Sequence, residues 1–242
     1  MLDFLGIGAQ RTGTTWLHYT LQKHPQLVLP FHKEIHFWDA DHASSTWKRD
    51  LAWYLGLFQG HGPAVRCGEI TPSYALLPVD VIRRIRDAKA DLRILFTVRN
   101  PIDRAVSHAL MQFCKIEGRA VDSLSKEEVL AHCLSQKSRE RGDYAACLER
   151  WFGVFAPENF FIEEFDAMRA DNRGYLRKLF RFLDVDPSPA STWSTDEITD
   201  LRNVMPPYRI SSPARGMLRE LYAEPVARLS KLLDRDFSAW LA

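Results

Sequence analysis

The sequence predicts an α/β fold, a three-layer sandwich in which helices cover a central, mostly parallel sheet. Three observations lead there. Residues 92–98 are a near-continuous apolar run, the pattern of a strand buried on both faces. The opening run from Phe4 to Ile7 gives way to a small-residue loop and then to helical spacing through Leu17 and Leu21. Further on, strand-like runs keep alternating with helical patterns, the order that builds βαβ units.

Taken in order, the first helix stops at His24-Pro25, and a short apolar piece, 27–29, follows. Ser44, Ser45 and Thr46 read as a helix start leading into Trp47, Leu51, Tyr54, Leu55 and Phe58. Residues 64–70 read as a strand stopped by Thr71-Pro72, and 79–88 as a basic amphipathic helix with Val81, Ile82 and Ile85 inside. After the 92–98 strand, Pro101 suits the first position of a helix reaching Phe113. Helices are expected over 126–134, 139–155, 175–183 and 217–233, and a short strand over 160–162. Residues 186–207 are rich in Ser, Thr, Asp and Pro without periodicity and read as a surface loop.

Composition bounds the function. The 242 residues suit one domain, spanning 1–242, and a net charge of +1 supplies no global field toward nucleic acid or membranes. No apolar segment nears the roughly 20 residues of a membrane span. The four cysteines (Cys67, Cys114, Cys133, Cys147) form no C-x-x-C pair, so free thiols in a reducing compartment are expected. Without a basic-then-apolar leader, the expected setting is cytoplasmic.

Gly8 and Gly13 have the spacing of the glycines in G-x-x-x-x-G-K-[ST], the phosphate loop of nucleotide hydrolases and kinases. Thr14 stands where that motif has lysine, and the cation, Arg11, lies inside the loop. Backbone N–H groups and the positive end of the next helix would form an anion site. Arg99-Asn100-Pro101 repeats the logic of buried strand, arginine and helix start, and Ser107 follows two turns along. A guanidinium and a hydroxyl there can share a phosphate. Two such sites suggest a ligand with two separated phosphate-like groups.

The pair Gln10-Arg11-Thr12-Gly13-Thr14-Thr15-Trp16-Leu17 and Thr97-Val98-Arg99-Asn100-Pro101-Ile102-Asp103-Arg104-Ala105-Val106-Ser107 resembles the two nucleotide signatures of sulfotransferases that use 3′-phosphoadenosine 5′-phosphosulfate (PAPS). Gly68-Glu69-Ile70-Thr71-Pro72-Ser73-Tyr74 is similar to the family's central strand and turn. The resemblance implies a P-loop-like nucleotide fold and transfer of a sulfuryl group from PAPS to a hydroxyl or amine, leaving adenosine 3′,5′-bisphosphate, with no metal expected. It implies that Arg11, Thr12, Gly13, Thr14 and Thr15 bind the 5′-phosphosulfate, that Trp16 contacts adenine, and that Arg99 and Ser107 hold the 3′-phosphate. The basic loop over the 3′-phosphate has three candidates, Arg202, Arg209 and Arg215, of which Arg209 is taken. Many members have lysine at the position of Arg11. Arginine stays protonated, so it acts as an electrostatic clamp.

Transfer needs a group to take the acceptor's proton. The segment Lys33-Glu34-Ile35-His36-Phe37-Trp38-Asp39 resembles the Glu-x-His-Phe-Phe-Asp stretch of heparan-type glycan sulfotransferases, which makes Glu34 the base and His36 its neighbour or alternate. Plainer readings stand beside these. Glu34 and His36 suit a polar core network, Trp16 suits core burial, Tyr74 suits an acceptor pocket as well as a core, and Asp103-Arg104 suits a local pair. The acceptor is a small molecule, lipid or glycan. A P-loop kinase or nucleotide hydrolase is the alternative, opposed by Thr14 and by the lack of an aspartate closing the 92–98 strand to hold Mg²⁺. A catalytically silent nucleotide-binding protein of the same fold is the third.

Overall fold

The computed structural model describes residues 1–40, 50–195, 198 and 204–242. Five parallel strands, β1 (Leu2–Gly8), β2 (Leu27–Val28), β3 (Arg66–Ile70), β4 (Arg93–Val98) and β5 (Phe160–Glu164), form one sheet in the order β2-β3-β1-β4-β5. The chain divides into two compact units interleaved in sequence. Met1–Val98 with Trp151–Arg202 is one and holds the whole sheet; Arg99–Arg150 with Asn203–Ala242 is the other.

In the first unit the connections are α1 (Thr14–Leu21), α2 (Leu51–Gly56) and α3 (Val79–Ala88). The second unit carries α4 (Pro101–Leu110), α5 (Lys126–Leu134) and α6 (Gln136–Gly142), and α7 (Tyr144–Phe152) leads back to the first. Then come α8 (Phe165–Ala170), α9 (Asn172–Phe182), α10 (Pro189–Thr192) and, in the second unit, α11 (Ser212–Leu233). No helix among the described residues is long and apolar enough to cross a membrane.

Both faces of the sheet are buried, which is why its strands read as apolar runs rather than alternations. One face sends Phe4, Ile70, Leu95 and Phe161 into a single cluster with Trp16, Leu17 and Leu21 of α1 and Leu176, Leu179 and Phe180 of α9. Full burial stabilises by about 1.5–3 kcal/mol per large apolar side chain. Neighbouring Leu5 and Ile94 are also fully buried. β1 is central, between β3 and β4, so its carboxyl end is the sheet's topological switch point, where such folds place their ligands.

Several expectations are corrected. The 139–155 helix is two helices, α6 and α7, because the Asp143 carboxylate accepts the Ala146 N–H at 2.9 Å and restarts the chain as a cap. The 186–207 stretch is not a plain surface loop: Ala190 and Ile198 are buried in the apolar cluster. The last helix begins at Ser212, not 217, capped by the Ser211 hydroxyl with Pro213 in its first turn. Asp103 and Arg104 do not pair. Asp103 faces Arg215 at 3.4 Å, while Arg104 is fully buried and donates to the carbonyl and hydroxyl of Ser138, each at 2.8 Å. The helix start read at Ser44, Ser45, Thr46 and Trp47 lies outside the described residues, as does Arg202. The described part of that helix, α2, is capped by Asp50.

Candidate active site

The loop after β1 is shaped by its backbone. Gly8 lies at φ 155°, Arg11 at 71° and Gly13 at 83°, and Gly13 is the N-cap of α1. A Cβ on Gly13 would stand 2.6 Å from the Met168 terminal methyl and 3.1 Å from the Phe165 ring, so glycine is required there twice over. The Ala9 N–H donates to the Thr97 carbonyl at 3.0 Å and carries the β1–β4 ladder one residue past the strand. The buried Thr12 hydroxyl closes the turn on the Ala9 carbonyl at 2.7 Å. The first turn of α1 therefore opens directly off the switch point, and a helix N-terminus there favours a negative group. Gly13 at φ 83° and Arg11 at φ 71° are what turn the chain into that helix.

Trp16 packs into the core. Its ring is 2% exposed, stands edge-on to Tyr175 with centroids 6.1 Å apart, and spends its N–H on the Ile198 carbonyl at 2.8 Å.

The segment 31–40 hangs from a carboxylate that sequence reasoning quoted only as part of a motif. Glu69, on β3, is 1% exposed. Its Oε1 accepts from the Tyr54 hydroxyl at 2.7 Å and the Tyr74 hydroxyl at 3.0 Å. Its Oε2 accepts from the Thr71 hydroxyl at 2.7 Å and the Ile35 N–H at 3.4 Å. Burial pushes the Glu69 carboxyl up from the ordinary range, against the pull of these donors. Tyr74 also accepts the Phe37 N–H at 2.9 Å. Tyr74 is thus a fully buried strut, which corrects its reading as pocket lining. The detectable signal was an acid inside a strand buried on both faces, since such a group must find partners.

With Ile35 and Phe37 tied inward, Glu34 and His36 turn out. Both sit in left-handed backbone, at φ 62° and 55°, and both are exposed. Non-glycine residues held there carry about 1–3 kcal/mol of strain each and cluster at functional sites. Glu34 and His36 are therefore not a polar core network; Glu69 and its tyrosines are. The His36 ring lies between two acids, with Nδ1 2.9 Å from Asp39 Oδ2 and Nε2 3.5 Å from Glu34 Oε2. The hydrogen bond to Asp39 raises the His36 pKa. A carboxylate next to an imidazole with its own carboxylate can accept a proton and pass it on. His32 is exposed at the surface.

In the second unit, Arg99 follows β4 directly in the chain and Ser107 lies on α4. The Asn100 side chain caps α4, accepting the Ile102 N–H at 2.9 Å and donating to the Trp240 carbonyl at 2.8 Å. Arg99 and Ser107 are both half-buried. Of the C-terminal arginines, Arg215 is engaged with Asp103, whereas Arg209 is exposed before α11.

Comparison with known proteins fits this geometry. The family model described as the sulfotransferase domain matches residues 2–203. Heparan sulfate glucosamine 3-O-sulfotransferase 6 of Mus musculus is 30% identical over 183 residues, covering 73% of this chain and 50% of that protein. The bifunctional heparan sulfate N-deacetylase/N-sulfotransferase 2 of Homo sapiens is 25% identical over 198 residues, 76% of this chain and 22% of that one. This chain thus spans half or less of the length of these curated relatives. The crystal structure of a sulfotransferase from Alicyclobacillus acidocaldarius matches at a TM-score of 0.77 and 27% identity, over 100% of this chain and 99% of that one. A mouse sulfotransferase complexed with PAP shares the fold, at a TM-score of 0.58 and 18% identity over 93% and 84% of the two chains.

Proposed function

Because this chain belongs to the sulfotransferase domain family, we propose that it transfers a sulfuryl group from PAPS to a hydroxyl or amine, as one domain over residues 1–242. The observation that carries the reading is the loop after β1, where positive-φ residues turn the chain into α1 and place Arg11 beside a helix N-terminus. Arg11, Thr12, Gly13, Thr14 and Thr15 hold the 5′-phosphosulfate. Arg99 and Ser107 hold the 3′-phosphate, with Arg209 closing over it. Glu34 takes the acceptor's proton as the acceptor's oxygen or nitrogen bonds to sulfur. Arg11 compensates the charge left with the electron pair on the 5′-phosphate when its bond to sulfur breaks. His36, braced by Asp39, receives the proton from Glu34 or stands in for it.

A glycan acceptor is favoured by the likeness to glycan-modifying relatives, and an exposed Glu34 suits a bulky acceptor that stays largely in solvent. The four cysteines are free, in keeping with a cytoplasmic setting. Calorimetry tests the donor: adenosine 3′,5′-bisphosphate binds at least tenfold more tightly than 5′-AMP, and equal affinity overturns the reading. Labelled-sulfate transfer to pooled glycan, lipid and small-molecule acceptors then identifies the acceptor class.

A further inference from the structure

Lys33 has no part in the machinery above, yet its surroundings are unusual for a lysine. Its side chain is only 12% exposed, and its ammonium lies against the Glu34 carboxylate. The backbone that carries it is pinned on both sides. The Pro30 carbonyl accepts from the Gln22 side chain at 3.1 Å, and the Ile35 N–H is held by Glu69. Lys33 therefore has little room to leave for solvent in the manner of a surface lysine.

The charges around it are mixed. Burial first, and Arg11 second, disfavour its protonated form and together outweigh the pull of Glu69, bringing the amine down to about 8. Glu69 acts only from a distance, since its two oxygens are taken by Tyr54, Tyr74, Thr71 and the Ile35 N–H. His18 of α1, 1% exposed, has no hydrogen-bond partner on either ring nitrogen among the described residues. Burial first, and Lys33 second, hold it down to about 4, so it is neutral and adds no charge. His36 also feels Lys33. Arg11 and Lys33 are thus near enough to oppose each other's charge, and among the described residues the carboxylate touching Lys33 is the exposed Glu34. A lysine with so little water around it gains from an anion that reaches it.

We propose that Lys33 is a donor-binding residue, which with Arg11 forms a pair of cations on the phosphosulfate end of the nucleotide. The proposal rests on the donor assignment given above and adds the second charge, delivered from the segment that also carries Glu34. Arg11 is permanently charged, whereas Lys33 titrates, so the donor's grip carries a pH dependence that the loop alone lacks. The phosphate also competes with Glu34 for the ammonium. Binding of the donor thereby frees the Glu34 carboxylate for the acceptor.

Proton-linked calorimetry tests this without knowing the acceptor. Adenosine 3′,5′-bisphosphate is titrated into the protein at pH 8.5 in two buffers of different ionisation enthalpy. An anion on Lys33 raises its affinity for protons, so binding takes up about half a proton. Lys33→Met abolishes the uptake and weakens binding by about tenfold to a hundredfold. Adenosine 3′-monophosphate, which lacks the 5′-group, loses nothing in that variant. Lys33→Arg keeps the charge, binds within about threefold of the parent, and shows no uptake; it serves should Lys33→Met fail to fold. Binding without uptake, or uptake that persists in either variant, overturns the role of Lys33. Failure of the parent to prefer the bisphosphate over 5′-AMP instead overturns the donor assignment itself.

Discussion

Glu69 and Glu34 are two carboxylates of the same unit with opposite situations. Glu69 is sealed in the sheet and saturated by four donors; Glu34 is exposed on a strained turn, touching Lys33 and near His36. The buried acid has no lone pair to spare and holds its neighbours in place. The exposed acid has room to react and depends on its neighbours for its position. Position in the fold, more than residue type, separates the scaffold acid from the reactive one.

The sharpest way to break this contrast is Glu34→Gln. Turnover falls by about 10²- to 10⁴-fold, the range of a lost general base. Melting temperature holds, and bisphosphate affinity, read by calorimetry, does not fall, since the phosphate then no longer competes with Glu34 for Lys33. Retained turnover moves the base to His36. Glu69→Ala does the reverse: it leaves three hydroxyls and an amide without their acceptor and destabilises by about 3–5 kcal/mol. Thermal unfolding then falls by roughly 10 °C. A melting temperature within a degree or two of the parent shows that Glu69 is not the anchor.

A milder cut is Tyr54→Phe, which keeps the ring stacked on Phe37, with centroids 4.4 Å apart, and removes one donor to Glu69. The expected loss is about 1–2 kcal/mol in denaturant unfolding. The smallest effect concerns His36. Its hydrogen bond to Asp39 raises its pKa above 6.5 in the folded state. The bond's contribution to stability is therefore complete below about pH 6.5 and lost as pH rises through the folded value. Asp39→Asn brings the His36 titration down, as an NMR pH series measures. An unchanged titration removes Asp39 as its brace.

Much of the scaffold was legible because it rests on pattern. The 92–98 run, the 79–88 helix and the loop after β1 each carry a period or a spacing that the structure reproduces. Glu34 and His36 are proposed by likeness, and their outward turn came from the main chain and has no sequence period. The packing of Trp16 was not legible because a first-turn aromatic suits core and cofactor alike, and its core partners, Tyr175 and Ile198, lie far along the chain. The break between α6 and α7 was written in Gly142-Asp143 and was hidden by the helical pattern on both sides. Lys33 could not be read at all, because its burial depends on how segment 31–40 folds back on the sheet.

The anchoring of that segment has a consequence for protein engineering. Glu69 and Tyr74 grip main-chain amides, at Ile35 and Phe37, and main-chain amides are the same whatever side chains flank them. The exposed positions 31 and 32 can therefore be randomised together while the strap keeps its path and Glu34 and His36 keep their places. A library at these sites would vary the surroundings of the base on a fixed mount, a division of labour suited to directed evolution of new acceptors.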